Sequence, residues 1–216
     1  MHDIATFVTV LAVALAAVAV SPPLTAWCAT LTADAAAQVP VRVSPAERVT
    51  SGIPAAILGG AAAVLAPFPA WWLFGVGGAA LAVVDCRTHR LPARFVYPLA
   101  TAITAVLVVD AAVTGQWAAL ARSALAATVV GGCWFLVAFV SPGAVGLGDI
   151  RVAALTAWLL GYQGWTAVLV GQLSASLLGV VTAAALLLGG NRFGAGMRVP
   201  MGPALIGGAF LAALTA

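Results

Sequence analysis

Along this chain, apolar residues run in long unbroken stretches with no period-two alternation, and the polar positions gather at Pro, Gly and Arg punctuation between them. Runs of this kind predict helices, because a strand of a lipid-facing barrel must alternate apolar and polar side chains. Read between the breaks, the pattern predicts eight helices near residues 4–20, 53–66, 70–84, 95–113, 118–140, 149–162, 164–188 and 202–216. Those at 53–66, 70–84 and 149–162 are short. About 14 or 15 residues at 1.5 Å each reach roughly 21 Å, against a hydrocarbon core of about 30 Å. They either borrow flanking residues or are partly re-entrant. The expected architecture is all-α, a polytopic membrane helix bundle. Residues 1–20 form a first transmembrane helix, 21–52 a short cytosolic loop and 53–216 the membrane-embedded core.

Composition turns that pattern into a statement about solvent. Of 216 residues, 63% are hydrophobic and 7% charged, and the mean hydropathy is +1.13. A water-soluble domain of this size would not tolerate such a surface. In lipid, continuous helices satisfy their own backbone. The net charge of +3 does not point to nucleic acid, since all nine basic residues are Arg and are scattered in short loops. Topology accounts for them, because basic loops are retained in the cytoplasm. Setting 85–94 inside also places inside Arg42 and Arg48, then Arg151, then Arg192 and Arg198, together with Arg87, Arg90 and Arg94. Only Arg122 falls outside, and both termini are then expected outside. The start, Met1-His2-Asp3, carries no Lys or Arg, which suits an outward N-terminus; a cleaved leader ending near Ser21-Pro22-Pro23 is the alternative.

Cys28, Cys86 and Cys133 are far apart and form no CxxC pair, so neither a disulfide framework nor a metal site is expected. The acidic residues are more informative, because an ionisable side chain near a span is costly. There are six. Asp3, Asp34 and Glu47 lie in polar surroundings, and Asp110 precedes the Thr114-Gly115-Gln116 turn on the outer side. Asp85 ends the apolar run Gly77–Val84 and opens Cys86-Arg87-Thr88-His89-Arg90; Asp149 sits in Gly146-Leu147-Gly148-Asp149, at the start of the run from Ile150. The Arg alternation puts both at the same membrane face, on different helices. Two adjoining carboxylates do not both ionise easily, so the pair can activate water while protonating a carbonyl oxygen. The glycines beside Asp149 leave room for a peptide to approach. The competing reading makes Asp149 the N-cap of its helix and pairs Asp85 with Arg87 or Arg90.

Residues 85–92, an Asp followed six and seven positions later by Leu91-Pro92, resemble the first motif of the type IV prepilin peptidases. Gly146-Leu147-Gly148-Asp149-Ile150-Arg151 is similar to their GxGD box with its following basic residue, and Trp158 and Gly161 continue the likeness. Val199-Pro200-Met201-Gly202-Pro203-Ala204-Leu205 resembles the segment that opens the family's last helix. The resemblance implies a bacterial inner-membrane aspartyl endopeptidase of the GxGD type, without metal or other cofactor. It would remove the basic leader of prepilins or pseudopilins at the cytosolic face. It makes Asp85 and Asp149 the catalytic pair, with Leu91, Pro92, Gly146, Gly148, Arg151, Pro200, Gly202 and Pro203 shaping or bracing the cleft. Asp34 and Glu47 are available to meet the basic leader. The chain departs from the pattern at Ala93, where Asn or Asp is usual, and at Arg151, where Lys is commoner. Larger members also carry a cytosolic module with paired CxxC motifs and methylate the new N-terminus. Here 21–52 contains Cys28 alone, so the resemblance implies the short, peptidase-only form.

Two other readings stay open on the residues. Residues 203–205 spell the Pro-Ala-Leu element of presenilin-like and signal-peptide-peptidase-like proteases, which share GxGD. Their first aspartate, however, follows a Tyr well inside a helix, whereas Asp85 follows Val84. A transporter or secretion-machine subunit would use Gly59-Gly60, Gly131-Gly132 and Gly207-Gly208 for helix packing.

Overall fold

The structure is a computed structural model, and it describes residues 2–30, 45–62, 65, 68–89, 91–142, 145–188 and 200–215. Among these residues the chain forms eight helices: α1 (His2–Thr30), α2 (Pro45–Ala62), α3 (Phe68–Thr88), α4 (Ala93–Thr114), α5 (Trp117–Val140), α6 (Leu147–Gln163), α7 (Trp165–Leu188) and α8 (Gly202–Thr215). The chain is thus an all-helical, polytopic membrane bundle, as its hydropathy pattern predicts. Asp34, Arg42, Arg90, Arg192 and Arg198 lie outside the described residues.

Helix limits differ from the sequence pattern at three places, each for a local reason. α1 continues through Pro22 and Pro23 to Thr30, well beyond the end expected near residue 20. Pro22 cannot donate to the Val18 carbonyl, and the Ser21 hydroxyl donates to that oxygen instead, at 3.3 Å. A side-chain donor of this kind lets proline persist in a lipid-embedded helix, and the Thr25 hydroxyl adds a second bond to the Ser21 carbonyl at 2.8 Å. Helix resumes at Pro45, inside the stretch read as loop.

α3 is the third case. It spans 21 residues, not the short segment 70–84, because the helix carries on past Asp85. The Asp85 carbonyl accepts the His89 N–H at 2.8 Å, and the Thr88 hydroxyl donates to the Val84 carbonyl at 2.9 Å. His89, with φ of 49°, then ends the helix in the left-handed region. Among the described residues, five helices are long and apolar enough to cross a membrane, with spans Val10–Trp27, Pro69–Thr88, Ala93–Thr114, Trp117–Val140 and Trp165–Leu188. α8 has only 14 residues, and most of them are buried.

α3 is the interior helix, with 67% of its span buried against 17% for α5. That contrast explains why both read as uniformly apolar: α3 faces protein on most sides, while α5 and α7 face lipid. Leu169, Leu173 and Leu177 on α7, at a spacing of four, are all exposed. α3 packs against α1, α2, α4 and α8. Small residues let the neighbours approach: a Cβ at Gly75 would meet the Leu58 carbonyl oxygen of α2 at 3.0 Å, and one at Gly78 would meet Ile206 of α8 at 3.1 Å. Trp71 and Phe74 of α3 close against Phe210 of α8, with ring centroids 5.3 and 5.8 Å away.

α6 is fastened at its far end. The Arg122 guanidinium of α5 donates to the carbonyls of Gly161 and Tyr162 at 2.7 and 2.8 Å, placing a cation where the helix leaves acceptors unpaired. The Tyr162 hydroxyl donates to Asp110 of α4 at 2.6 Å. Halfway along, the Trp134 indole donates to Gln172 at 3.2 Å, and the Gln172 amide donates to Thr156 at 3.4 Å, tying α5, α6 and α7 together.

Close packing makes a prediction for two glycines. A Cβ at Gly208 would stand 2.5 Å from the Ala175 backbone nitrogen, whereas one at Gly132 has nothing within 4 Å. Gly208→Ala should lower stability in detergent by about 1–3 kcal/mol, the usual cost of overpacking. Gly132→Ala should leave stability unchanged or slightly raised. Thermal unfolding of both variants checks the contrast.

Candidate active site

At one end of the bundle the three sequence motifs converge, and each is held there by a different local device. Asp85 lies one turn inside α3, only 3% exposed. Its Oδ2 accepts the backbone N–H of Gly202 at 2.8 Å, across 117 residues of sequence. That donor is available because the first N–H groups of a helix have no intrahelical acceptor, and α8 begins at Gly202. The contact also requires glycine: an added Cβ would sit 2.9 Å from Asp85 Oδ2 and 3.2 Å from its Cβ. Pro203 follows in the first turn, where its missing N–H is not needed. Pro200 and Met201, half-buried, lead into it.

The link from α3 to α4 supplies the second device. Leu91 and Pro92 are buried, and Pro92, with φ of −71° and ψ of 120°, starts α4. Its carbonyl accepts the N–H groups of Phe95 and Val96 at 3.0 and 3.1 Å. Phe95 in turn meets Trp27 of α1, ring centroids 5.3 Å apart. Gly148 of α6 rests on this link. A Cβ there would stand 2.7 Å from the Leu91 Cβ and 3.2 Å from its carbonyl oxygen, so no larger residue fits without the link moving.

Asp149 follows directly. It occupies the third position of α6, and its Oδ2 accepts the Gly146 N–H at 3.1 Å. A carboxylate in a first helical turn that reaches back to the preceding N–H is electrostatically favoured there. Gly146, not Asp149, is thus the N-cap of α6, and the half-buried Asp149 side chain reaches back to it from within the helix. The two aspartates thus stand on helices whose ends meet through Gly148 and Leu91, with Gly202 closing over Asp85.

Arg151 is directed elsewhere. Its Nε donates to the Tyr97 hydroxyl of α4 at 3.1 Å, and its guanidinium carbon lies 5.6 Å from that ring's centroid. It fastens α6 to α4 beside the site. Sequence reasoning missed Tyr97; an aromatic residue one turn into the helix after Pro92 was the available signal. Gly202 was read as a brace, and its role as a hydrogen-bond donor was not legible from its type. Among the described residues no three His, Cys, Asp or Glu side chains cluster as a metal site.

Comparison with known proteins adds one finding. A family model described as the type IV leader peptidase family matches residues 71–188, more than half of the chain. Searches of curated proteins and of solved structures found no match.

The Gly202 contact is testable on its own. Gly202→Ala should displace the Asp85 carboxylate and destabilise the protein by about 1–3 kcal/mol. In Gly202→Ala/Asp85→Ala, where the crowded carboxylate is gone, the two costs should add to less than their sum. Strict additivity in thermal unfolding would contradict the contact.

Proposed function

This chain belongs to the type IV leader peptidase family, and on that footing we propose that it is an aspartic endopeptidase whose catalytic pair is Asp85 and Asp149. Its substrates are membrane-anchored prepilins or pseudopilins with a basic leader followed by an apolar helix. Cleavage takes place at the cytoplasmic face of a bacterial inner membrane. The observation that carries the reading is the buried Asp85 carboxylate, held by Gly202 at the end of the bundle where Gly148 and Leu91 join the Asp149 helix to the α3–α4 link.

The chemistry follows from two carboxyl groups sharing one proton. The ionised member takes a proton from water as its oxygen attacks the peptide carbonyl carbon, and the protonated member gives its proton to the carbonyl oxygen. A tetrahedral diol results. In the collapse the ionised member takes a proton from one diol hydroxyl, the C–N bond breaks, and the leaving nitrogen takes the proton held by the other member, so that the pair again holds one proton. Gly202 fixes the rotamer of Asp85 through this cycle. Leu91, Pro92, Gly146, Gly148, Pro200 and Pro203 set the backbone around it, and Arg151 steadies α6 through Tyr97.

Purified protein in lipid nanodiscs, with a substrate of basic leader, Gly and apolar helix, gives the test. Asp85→Asn and Asp149→Asn should each lower the cleavage rate by about 10³-fold or more, near the range for loss of a positioned acid or base. Both variants should elute and unfold like the wild type. The wild-type rate should fall on both the acid and the alkaline side of an optimum, because fully protonated and fully ionised pairs are both inactive. Full activity in either Asn variant would sink the proposal.

A further inference from the structure

One turn beyond Asp85 the backbone adopts a conformation found at no other non-glycine position among the described residues: His89 has φ of 49°. A side chain there crowds the neighbouring backbone, so residues other than glycine seldom hold that conformation. Where one does, its surroundings enforce it, and such residues gather at functional sites. His89 directly follows α3. Its N–H still donates to the Asp85 carbonyl at 2.8 Å, so the last turn closes on the aspartate itself. The left-handed step then takes the chain off the helix axis, and Leu91, two positions on, is buried.

What Leu91 meets there gives the turn its consequence. Gly148 rests on it so closely that an added Cβ would stand 2.7 Å from the Leu91 Cβ and 3.2 Å from its carbonyl oxygen, and Asp149 is the next residue. From Asp85 to Asp149 the connection therefore runs through one helical turn, the link after it and one close contact. α6 is not free to slide in compensation, because Arg122 holds its far end. We propose that His89 is a positioning residue of the peptidase: its left-handed backbone sets where Leu91 meets Gly148, and thereby the separation of the two carboxyl groups. The proposal rests on the proteolytic reading above and names the turn on which its geometry depends. The His89 imidazole is exposed, yet near enough for its charge to act on the Asp85 carboxyl. A backbone role and a charge role make opposite predictions for glycine, which keeps the conformation and lacks the ring.

Four variants of the full chain in nanodiscs, assayed with the substrate of basic leader, Gly and apolar helix, test this. Their kcat, measured on the folded fraction, should follow tolerance of the left-handed region and not the chemistry of the side chain. His89→Gly and His89→Asn should keep kcat within about two-fold of wild type, since both residues adopt that conformation readily. His89→Val, whose branched side chain opposes it most, should lower kcat by about 10²-fold, the scale of a small misplacement of reacting groups, with KM within about two-fold. His89→Ala should fall between, and carries the comparison where the Val variant does not fold. Unchanged kcat in the Ala and Val variants, or an effect confined to KM or to the unfolding temperature, overturns the positioning role. Loss of kcat in both the Gly and Asn variants overturns it too, and assigns the effect to the imidazole. A wild-type protein that cleaves no such substrate overturns the proteolytic reading and this proposal with it.

Discussion

A carboxyl group inside a bilayer-embedded bundle must have a partner, because an uncompensated polar group there costs several kcal/mol. Asp85 meets that requirement with the Gly202 N–H at the start of α8. The donor is one that a helix leaves unpaired, and it lies at the positive end of the helix dipole. Much of the architecture is set by bringing these two groups together. α8 is short and buried so that its first residue reaches α3, and α3 carries glycine where α8 and α2 press against it. A side chain at position 202 would crowd the Asp85 carboxylate.

α6 answers a related demand from the other direction. Asp149 stands in its first turn, so any slide or rotation of the helix would move the carboxyl group. Gly148 against Leu91 fixes the near end. Arg122 on the last carbonyls and Tyr162 on Asp110 fix the far end. The Gln172 contacts hold the middle. Arg122, the one basic residue that the charge alternation placed outside, has a structural task that the alternation does not consider. Its side chain satisfies the acceptors that terminate α6.

What could be read from the sequence follows from what each signal measures. Hydropathy reports contact with lipid or core, so eight helices and an all-α bundle were legible from apolar runs alone. It does not separate core from lipid, which is why interior α3 and lipid-facing α5 look alike until their neighbours are known. Proline was the misleading mark. Pro22 and Pro23 read as a stop because the sequence does not show that Ser21 replaces the lost donor. Asp85 read as a helix end because an acid followed by Arg residues resembles a loop, yet α3 runs on to Thr88. The residue types of the candidate site were visible through their spacing, Asp85 with Leu91-Pro92 and Gly146 to Asp149. Their partners were not, since Gly202 acts through its backbone and Tyr97 through a long-range contact.

The central claim is that Asp85 and Asp149 act on one water and one peptide bond. The most direct measurement is a structure of the protein with a substrate peptide whose scissile amide is replaced by a hydroxyethylene group, a stable mimic of the tetrahedral intermediate. The account predicts the inhibitor hydroxyl between the two aspartates, within about 3 Å of a carboxyl oxygen of each, with Gly202 still donating to Asp85. A hydroxyl bound away from either aspartate, with the peptide otherwise seated at this end of the bundle, would contradict it.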